Sequence, residues 1–257
     1  MRLFIVHTLL LLAFVAARAQ ETVDLNTIFT AASDSYVAKD YQAAINGYEQ
    51  ILATGVLSPE LYYNLGNAYF RVGHMGLAIL NYERALKMQP SLEDAAFNLK
   101  LANLRISDRV NPASEFILVS WYKSFIHSRS SSGWGMWALG AIWFALVWGA
   151  VYIFSRLLWL RRLSFGIMGL LLVASVVVLL FARMQYQYEL STNEGIIIVT
   201  NTYVKAAPEQ SSTDLFILRE GTKVTLLETE GGWQKVKVPD ETGDKVGWVQ
   251  VDVLGMI

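Results

Sequence analysis

The sequence contains no cysteine, and that absence excludes disulfide bonds, catalysis by a thiolate and metal sites with cysteine ligands. Histidine is scarce as well: the only three are His7, His74 and His127, and no two of them have the spacing of metal ligands. No serine–histidine arrangement and no pair of carboxylates stands out from ordinary solvated surface. We therefore expect no catalytic residue, no metal and no cofactor, and we expect the protein not to be an enzyme.

Acidic residues are missing from the middle of the chain. Residues 128–188 contain five arginines and no Asp or Glu, whereas residues 20–127 and 189–257 each contain 11 acidic residues, with 8 and 6 basic ones. The formal net charge is −1. This distribution offers no basic surface for nucleic acid, and it separates an apolar middle from two mildly acidic ends.

Two long uncharged runs lie in this middle part. Residues 134–154 and 163–182 carry no charge, and their lengths of 21 and 20 residues match the ~20 residues that cross a bilayer. The alternative is that both are buried helices of one soluble core. Amphipathic aromatic residues near the ends of the runs favour the membrane, since such residues prefer the interface. They are Trp134, Trp137, Trp159, Tyr186 and Tyr188.

The connection between the two runs, 155–162, is short and carries Arg156, Arg161 and Arg162. Short arginine-rich loops stay on the cytoplasmic side. The runs therefore predict a transmembrane hairpin whose two flanking regions both lie on the outer side. In the first run Ala141, Ala145 and Gly149 form a small-residue stripe, which either packs against the second run or receives a helix of a partner.

The N-terminus has the pattern of an export signal, residues 1–19. A positive Arg2 precedes an apolar run, and the small residues Ala17 and Ala19 lie at the expected cleavage site. The alternative is an uncleaved anchor helix, although the run is shorter than a typical span. Export agrees with the arginine loop. Together they predict a protein of the bacterial inner membrane with both flanking regions in the periplasm.

Residues 34 apart match before the membrane region: Ala44-Ile45 with Ala78-Ile79, and Tyr48-Glu49 with Tyr82-Glu83. This period is that of the tetratricopeptide repeat, a helix–turn–helix unit. Gly66 and Ala78 are predicted to be small because two helices approach there, and Gly73 and Gly76 to allow the turn between them. The signature residues of the best repeat are Tyr62, Leu65, Gly66, Tyr69, Ala78, Tyr82 and Pro90.

The other two repeats are less complete. The first, about 25–58, has Ser35 and Val56 where the second has Tyr69 and Pro90. The third has one helix, which we interpret as a terminal cap beginning at Ser91 as its N-cap.

Short arrays of this kind bind extended peptides or partner helices on a concave face. Asn64 and Asn98, and likewise Arg71 and Arg105, recur in register, so that they could clamp a partner's backbone or carboxylate. The alternative is that they satisfy local backbone groups or are simply solvated. The predicted partner-binding residues are Tyr63, Asn64, Asn67, Arg71, Asn98 and Arg105.

The tail from about residue 193 has short β-rich segments separated by turn residues, and five strands in about 65 residues suggest a small barrel. It resembles the bacterial SH3-like family in "VKAAP", "LREGTKVTLLE", "GGWQKVKV" and "VGWVQ". Trp233 and Trp248 either line a peptide or glycan groove or belong to the core. Some proteins carry a Cys/His catalytic domain after this barrel; we expect none here, since the sequence stops at Ile257.

The complete order of parts resembles the BatE family, the tetratricopeptide component of the Bacteroides aerotolerance (Bat) operon. The resemblance rests on "LYYNLGNAYFRVGHMGLAILNYERALKMQPSLEDAAFNLKLANLRISDRV", "WLRRLSF" and "KAAPEQSSTDLFILREGTKVTLLE", with a serine where a glycine is expected before Thr213. It implies a MoxR-type ATPase and membrane proteins with von Willebrand factor A domains as neighbours. It also implies a role in envelope integrity or oxidative-stress tolerance.

We thus predict a multidomain membrane protein with all-α repeats, a hairpin of two transmembrane helices and an all-β SH3-like barrel. Its function is predicted to be that of a scaffold in a Bat-type complex, with peptidoglycan binding through the barrel as the alternative. The predicted parts are a signal (1–19), the repeats (20–110), a connecting segment (111–133), the first span (134–154), the arginine loop (155–162), the second span (163–182), a linker (183–192) and the barrel (193–257).

Overall fold

A computed structural model of the chain describes residues 25–106, 117–239 and 243–257. The predicted export signal lies outside these residues, as do residues 107–116 of the predicted repeat domain and connecting segment. The described chain contains helical repeats, two apolar helices long enough to cross a membrane, and a C-terminal antiparallel sheet. The predicted fold class is therefore confirmed.

The repeats form five helices: α1 (25–37), α2 (Tyr41–Ala53), α3 (Pro59–Val72), α4 (Met75–Met88) and α5 (Glu93–Asn103). Neighbouring helices pack on one another, and most of their buried side chains belong to one core that includes Tyr48, Leu65 and Tyr82. A Cβ on Gly66 would lie 2.8 Å from the ring of Tyr82. The prediction that Gly66 allows close helix approach is confirmed.

Local signals set three of the helix ends in this array. The side chains of Asp40 and Ser58 accept hydrogen bonds from backbone N–H groups in the first turns of α2 and α3. Gly73 ends α3 with a left-handed φ of 92°, as expected for a glycine in this turn.

The start of α5 differs from the prediction that Ser91 is its N-cap. Leu92 occupies that position without a side-chain cap, and the helix begins at Glu93. The N–H of Leu92 donates to the carbonyl of Gln89, 3.1 Å away. Because this turn takes one more residue, Ser91 falls too early to cap the helix, and the prediction was wrong.

The middle part of the chain begins with a short helix, α6 (Ile117–Ile126), and continues as an antiparallel hairpin of α7 (Ser131–Phe154) and α8 (Leu158–Leu190). Ala145 of the predicted small-residue stripe is buried, and a Cβ on Gly149 would lie 3.3 Å from the sulfur of Met168 in α8. The stripe therefore packs within the hairpin. Few residues of either apolar window are buried, so that most of their apolar surface faces outward.

Helix α8 is longer than the predicted span. It begins at Leu158 rather than 163, so Arg161 and Arg162 lie among its first five residues and only residues 155–157 form the connection. At its other end it continues through most of the predicted linker, 183–192. No glycine or proline occurs between residues 183 and 190, and nothing in this segment interrupts the helix.

The C-terminal part is a seven-stranded antiparallel sheet in the order β3-β2-β6-β5-β4-β1-β7. Its core includes Ile197, Val204, Val236 and Val249. Two strands, β3 and β7, were not predicted. In β3 the apolar residues Leu215 and Ile217 are exposed, so that the strand lacks a regular alternation of apolar and polar residues. Strand β7 has only three residues. The strands are β1 (Glu194–Ile197), β2 (Asn201–Lys205), β3 (Asp214–Arg219), β4 (Lys223–Glu230), β5 (Trp233–Val238), β6 (Lys245–Gln250) and β7 (Leu254–Met256).

The barrel docks onto the repeats through α4, which packs against β1 and β7. Gly76 is buried inside the first turn of α4, and a Cβ there would lie 2.7 Å from both the Glu220 side chain and the Ile197 carbonyl. The prediction that Gly76 belongs to the turn was wrong, because α4 already begins at Met75. The glycine instead allows the barrel to approach. Gly255 does the same opposite Leu80.

Candidate functional site

The repeats present a face rich in tyrosine. Tyr36 of α1 and Tyr63 of α3 are half-buried, and the ring of Tyr63 lies 6.3 Å from that of Tyr82. Burial raises the pKa of the Tyr36 and Tyr82 hydroxyls. These groups therefore remain neutral hydrogen-bonding groups at physiological pH. We call this face, formed by α1, α3 and α5, the repeat groove.

Two of the predicted amides meet in the repeat groove. The side-chain oxygen of Asn67 accepts hydrogen bonds from the amide of Asn98 and from the hydroxyl of Tyr82, both at 2.8 Å. Asn98 is therefore engaged by its neighbour rather than by a backbone group. Within the described part of the chain the side chain of Asn64 makes no hydrogen bond, so its amide is available to a partner.

The two predicted arginines each stack on a ring of a neighbouring helix. Arg71 donates to the hydroxyl of Tyr41 at 2.8 and 3.0 Å, and its guanidinium carbon lies 5.2 Å from the centre of that ring. Arg105 lies 4.4 Å from the ring centre of Phe70. The structure thus positions both side chains without burying them, on separate rings rather than as a directly paired clamp.

Arg105 also lines a cavity of about 380 Å³ between the end of α5 and the barrel. Thr200 and Glu220 of the barrel lie on its other side. This position connects one end of the repeat groove with the barrel. The repeat period could not reveal these neighbours, because Thr200 and Glu220 follow Arg105 by more than 90 residues and lie outside the repeats.

Tyr36 and Tyr41 are functional candidates that sequence reasoning missed. Tyr36 lies 34 residues before Phe70, so the repeat period contained the signal for it. Its ring packs 5.3 Å from that of Tyr41, edge to face. Tyr41 had no such signal, since the residue 34 positions later is Met75.

The two tryptophans proposed for the barrel are largely buried, with exposed fractions of 9% for Trp233 and 8% for Trp248. Both are outside the apolar cluster of the barrel. Lys235 is paired with Trp248 across β5 and β6, and its ammonium lies 5.6 Å from the indole centre. In this arrangement neither ring lines an open groove.

The three arginines proposed to set topology gather at the closed end of the hairpin. Arg156 lies in the connection, and Arg161 and Arg162 lie near the start of α8. All three are exposed. The guanidinium of Arg161 lies 5.1 Å from the ring centre of Tyr152. The repeats and the barrel are attached at the opposite, open end.

Charged groups hold the barrel against the repeats. The ammonium of Lys223 lies 3.2 Å from the carboxylate of Glu83 in α4 and 3.1 Å from that of Glu194 in β1. Burial alone would lower the pKa of Lys223, but the two carboxylates reverse this effect and raise it. The repeats and the barrel thus share a charged contact at their interface.

A cavity of about 580 Å³ lies at the junction of the repeats, the end of α8 and β7. Its two cations are already used in docking: Arg84 donates to the carbonyl of Met256 at 2.7 and 2.9 Å, and Lys87 donates to the carbonyls of Ser191 and Ile257. Burial lowers the pKa of both cations. Among the described residues no cluster of His, Asp or Glu could hold a metal ion.

Comparison with known proteins gives two partial similarities. Residues 59–92, which form α3 and α4, match the tetratricopeptide repeat, and residues 200–254 match the bacterial SH3 domain. None of the curated proteins compared with the chain matches it. Both matched units are typically non-catalytic binding domains. The chain therefore combines a protein-interaction repeat and a bacterial SH3 domain with two helices compatible with a membrane anchor.

Proposed function

We propose that the protein is a non-enzymatic scaffold of the bacterial inner membrane that presents its repeat groove to a protein partner in the periplasm. The observation that carries the proposal is which face of the repeats the barrel contacts. Among the described residues the barrel packs on α4, whereas Tyr36, Tyr63 and Phe97 on α1, α3 and α5 keep part or most of their surface exposed. The open face is therefore available while the two domains remain joined.

The chemistry of the repeat groove favours an extended peptide that carries a carboxylate. Neutral tyrosines offer apolar surface and hydroxyl groups, and the free amide of Asn64 can pair with a peptide backbone. Arg71 and Arg105 supply exposed guanidinium groups already oriented by Tyr41 and Phe70. Such groups bind carboxylates well because their donors match carboxylate geometry.

The orientation follows from the hairpin. Arg156, Arg161 and Arg162 lie at its closed end, and arginine-rich connections favour the cytoplasmic side. The open end, with the repeats and the barrel, then faces the periplasm. The resemblance to the BatE family supplies partner classes for this side: other Bat components and membrane proteins with von Willebrand factor A domains, in a complex linked to aerotolerance.

The experiment is a comparison of partner binding by the wild type and the Arg71→Ala/Arg105→Ala variant. A photo-crosslinking residue at Tyr63 should capture a membrane protein with a von Willebrand factor A domain, identified by mass spectrometry. We expect the double variant to weaken this binding at least about tenfold. The Lys100→Ala variant is the control, because it also removes a positive charge from the repeats, at a position of α5 that lies about 200° around the helix from Asn98.

Thermal melting separates binding from folding in this test. If binding falls while melting is unchanged, the arginines are contact residues. If both fall together, their stacking on Tyr41 and Phe70 is structural. Unchanged binding of the double variant contradicts the proposed role of the arginines.

Binding of peptidoglycan by the barrel is the second candidate function, and the match to the bacterial SH3 domain favours it. The burial of Trp233 and Trp248 argues against their use in sugar binding, since neither ring can stack on a sugar without rearrangement. Sedimentation of the detergent-solubilised protein with purified cell-wall sacculi tests this candidate. Retention on sacculi supports it, and recovery of the whole protein in the supernatant excludes it.

A further inference from the structure

The short helix α6 packs against the open end of the hairpin, near the start of α7 and the end of the apolar part of α8. The ring of Phe125 lies 5.3 Å from that of Trp134 in α7 and 6.0 Å from that of Phe181 in α8. The hydroxyl of Tyr122 contacts the sulfur of Met184 at 3.7 Å. Helix α6 therefore lies beside the end of the apolar part of α8.

At this level α8 changes from apolar to polar. The uncharged run ends at residue 182, and Arg183, Gln185 and Glu189 follow. Just beyond α6, His127 is hydrogen-bonded to Gln185 at 2.8 Å, and Glu189 accepts from the N–H of Ser131 at 2.7 Å. A layer of polar contacts thus lies immediately above the aromatic cluster. This order of layers is that of a bilayer interface.

The aromatic side chains of α6 are exposed although they are large and apolar. Trp121 has an exposed fraction of 68% and stacks on Phe125 with ring centres 5.9 Å apart. Tyr122 and Phe125 are also exposed. This surface is continuous with the exposed apolar surface of the hairpin, because Phe125 touches both of its helices. Trp137 of α7, with Arg129 stacked 5.3 Å from its ring centre, extends the same band.

We propose that α6 lies in the headgroup region of the phospholipid bilayer, with Trp121, Tyr122 and Phe125 inserted into lipid. Tryptophan and tyrosine prefer this region because an apolar ring and a polar group can each find a suitable environment there. The proposal rests on the membrane anchoring under Proposed function. It adds a third membrane contact, which lies between the repeats and the first span.

The absence of cysteine makes a direct test practical, because a single introduced cysteine can be labelled in the full chain. Trp121→Cys, and separately Tyr122→Cys, would receive a nitroxide spin label after reconstitution into phosphatidylcholine–phosphatidylglycerol vesicles. Val37→Cys in α1, 80% exposed, is the aqueous control, and Val173→Cys in α8, 63% exposed, is the lipid control. Collisions with oxygen and with a water-soluble nickel chelate then report depth.

We expect the labels at residues 121 and 122 to be about 5–10 Å deep, between the two controls. If they behave like the label at Val37 while that at Val173 is in lipid, the proposal for α6 is overturned and the membrane anchoring stands. If the label at Val173 is itself in water, both fail. Shielding of residue 121 from both relaxing agents also overturns the proposal, since it means that protein rather than lipid covers α6.

Discussion

The carboxylate of Glu220, in the turn after β3, accepts a hydrogen bond of 2.7 Å from the backbone N–H of Gly76 in the first turn of α4. The N–H groups of a first turn have no partner within their own helix, and a carboxylate at this position also complements the helix dipole. A residue of the barrel therefore completes a helix of the repeats. The two domains are joined through a helix end as well as through apolar contacts.

Gly76→Ala should weaken the contact between the repeats and the barrel. Alanine normally stabilises a helix interior relative to glycine, by about 0.5–1 kcal/mol. Here the new Cβ would lie 2.7 Å from the Glu220 side chain and from the Ile197 carbonyl. We expect a net loss of about 1–3 kcal/mol, typical of overpacking. Thermal melting and hydrogen exchange at β1 would measure it.

The Gly76→Ala/Glu220→Ala variant should remain less stable than Glu220→Ala alone, because the Ile197 carbonyl is backbone and cannot rotate away from the new Cβ. A gain in stability from Gly76→Ala alone would show that the barrel does not press on α4.

Lys223→Met should lower the stability of the docked form by about 1 kcal/mol, a figure reduced for the partial solvent exposure of the pair. The raised pKa of Lys223 means that its contribution is complete below the ordinary value of 10.5 and is lost as pH rises through the higher folded value. Melting from pH 7 to 11 should therefore show a constant difference from wild type that shrinks only at the alkaline end. Lys237→Met is the control, since its partner, Asp244, lies within the barrel.

Asn67→Ala and Asn64→Ala should distinguish an amide that stabilises the fold, that of Asn67, from one that is available to a partner, that of Asn64. Removal of the Asn67 oxygen leaves the amide of Asn98 and the hydroxyl of Tyr82 without their acceptor, at a cost of about 1–3 kcal/mol. Asn64→Ala should change the free energy of unfolding by less than about 0.5 kcal/mol. Urea unfolding followed by helical circular dichroism measures both. Equal costs would show that Asn64 is also a structural residue.

Replacement of Arg156, Arg161 and Arg162 by glutamine should produce a mixture of orientations, because the positive charge that retains the closed end would be gone. Protease added to spheroplasts should digest repeats and barrel completely in the wild type and only partly in the variant. The control replaces Arg129 and Arg183 at the open end, which should leave digestion complete. Protection of the wild-type repeats or barrel would contradict the proposed orientation.

The repeats and the apolar hairpin could be predicted because each has a local signal: a 34-residue period for the repeat helices and two uncharged runs for the hairpin. The domain interface had no such signal. Gly76 and Gly255 look like ordinary turn glycines in the sequence, and their function depends on Glu220 and Leu80, which lie far away along the chain. Contacts between domains leave no periodic pattern, so only the structure reveals them.

The candidate site shows the same limit within the repeats. The period brought Asn64, Asn98, Arg71 and Arg105 to attention, yet recurrence does not say what each side chain touches. The ring beneath Arg71 is Tyr41, which does not recur, and Asn67 proves to be the acceptor for Asn98. Hydrogen bonds between different helices decide which groups are free, and these depend on packing geometry that spacing alone does not contain.

The uninterrupted course of α8 limits where the folded parts can act. A helix of 33 residues is about 50 Å long, and the eight residues after its apolar run extend only about 12 Å beyond it. Residues 191–193 then lead into β1 and can add at most about 10 Å. Only a short segment therefore connects the apolar run of α8 to the barrel and to the repeats docked on it. In the proposed membrane anchoring, any partner or wall material that they bind must therefore be at the surface of the membrane.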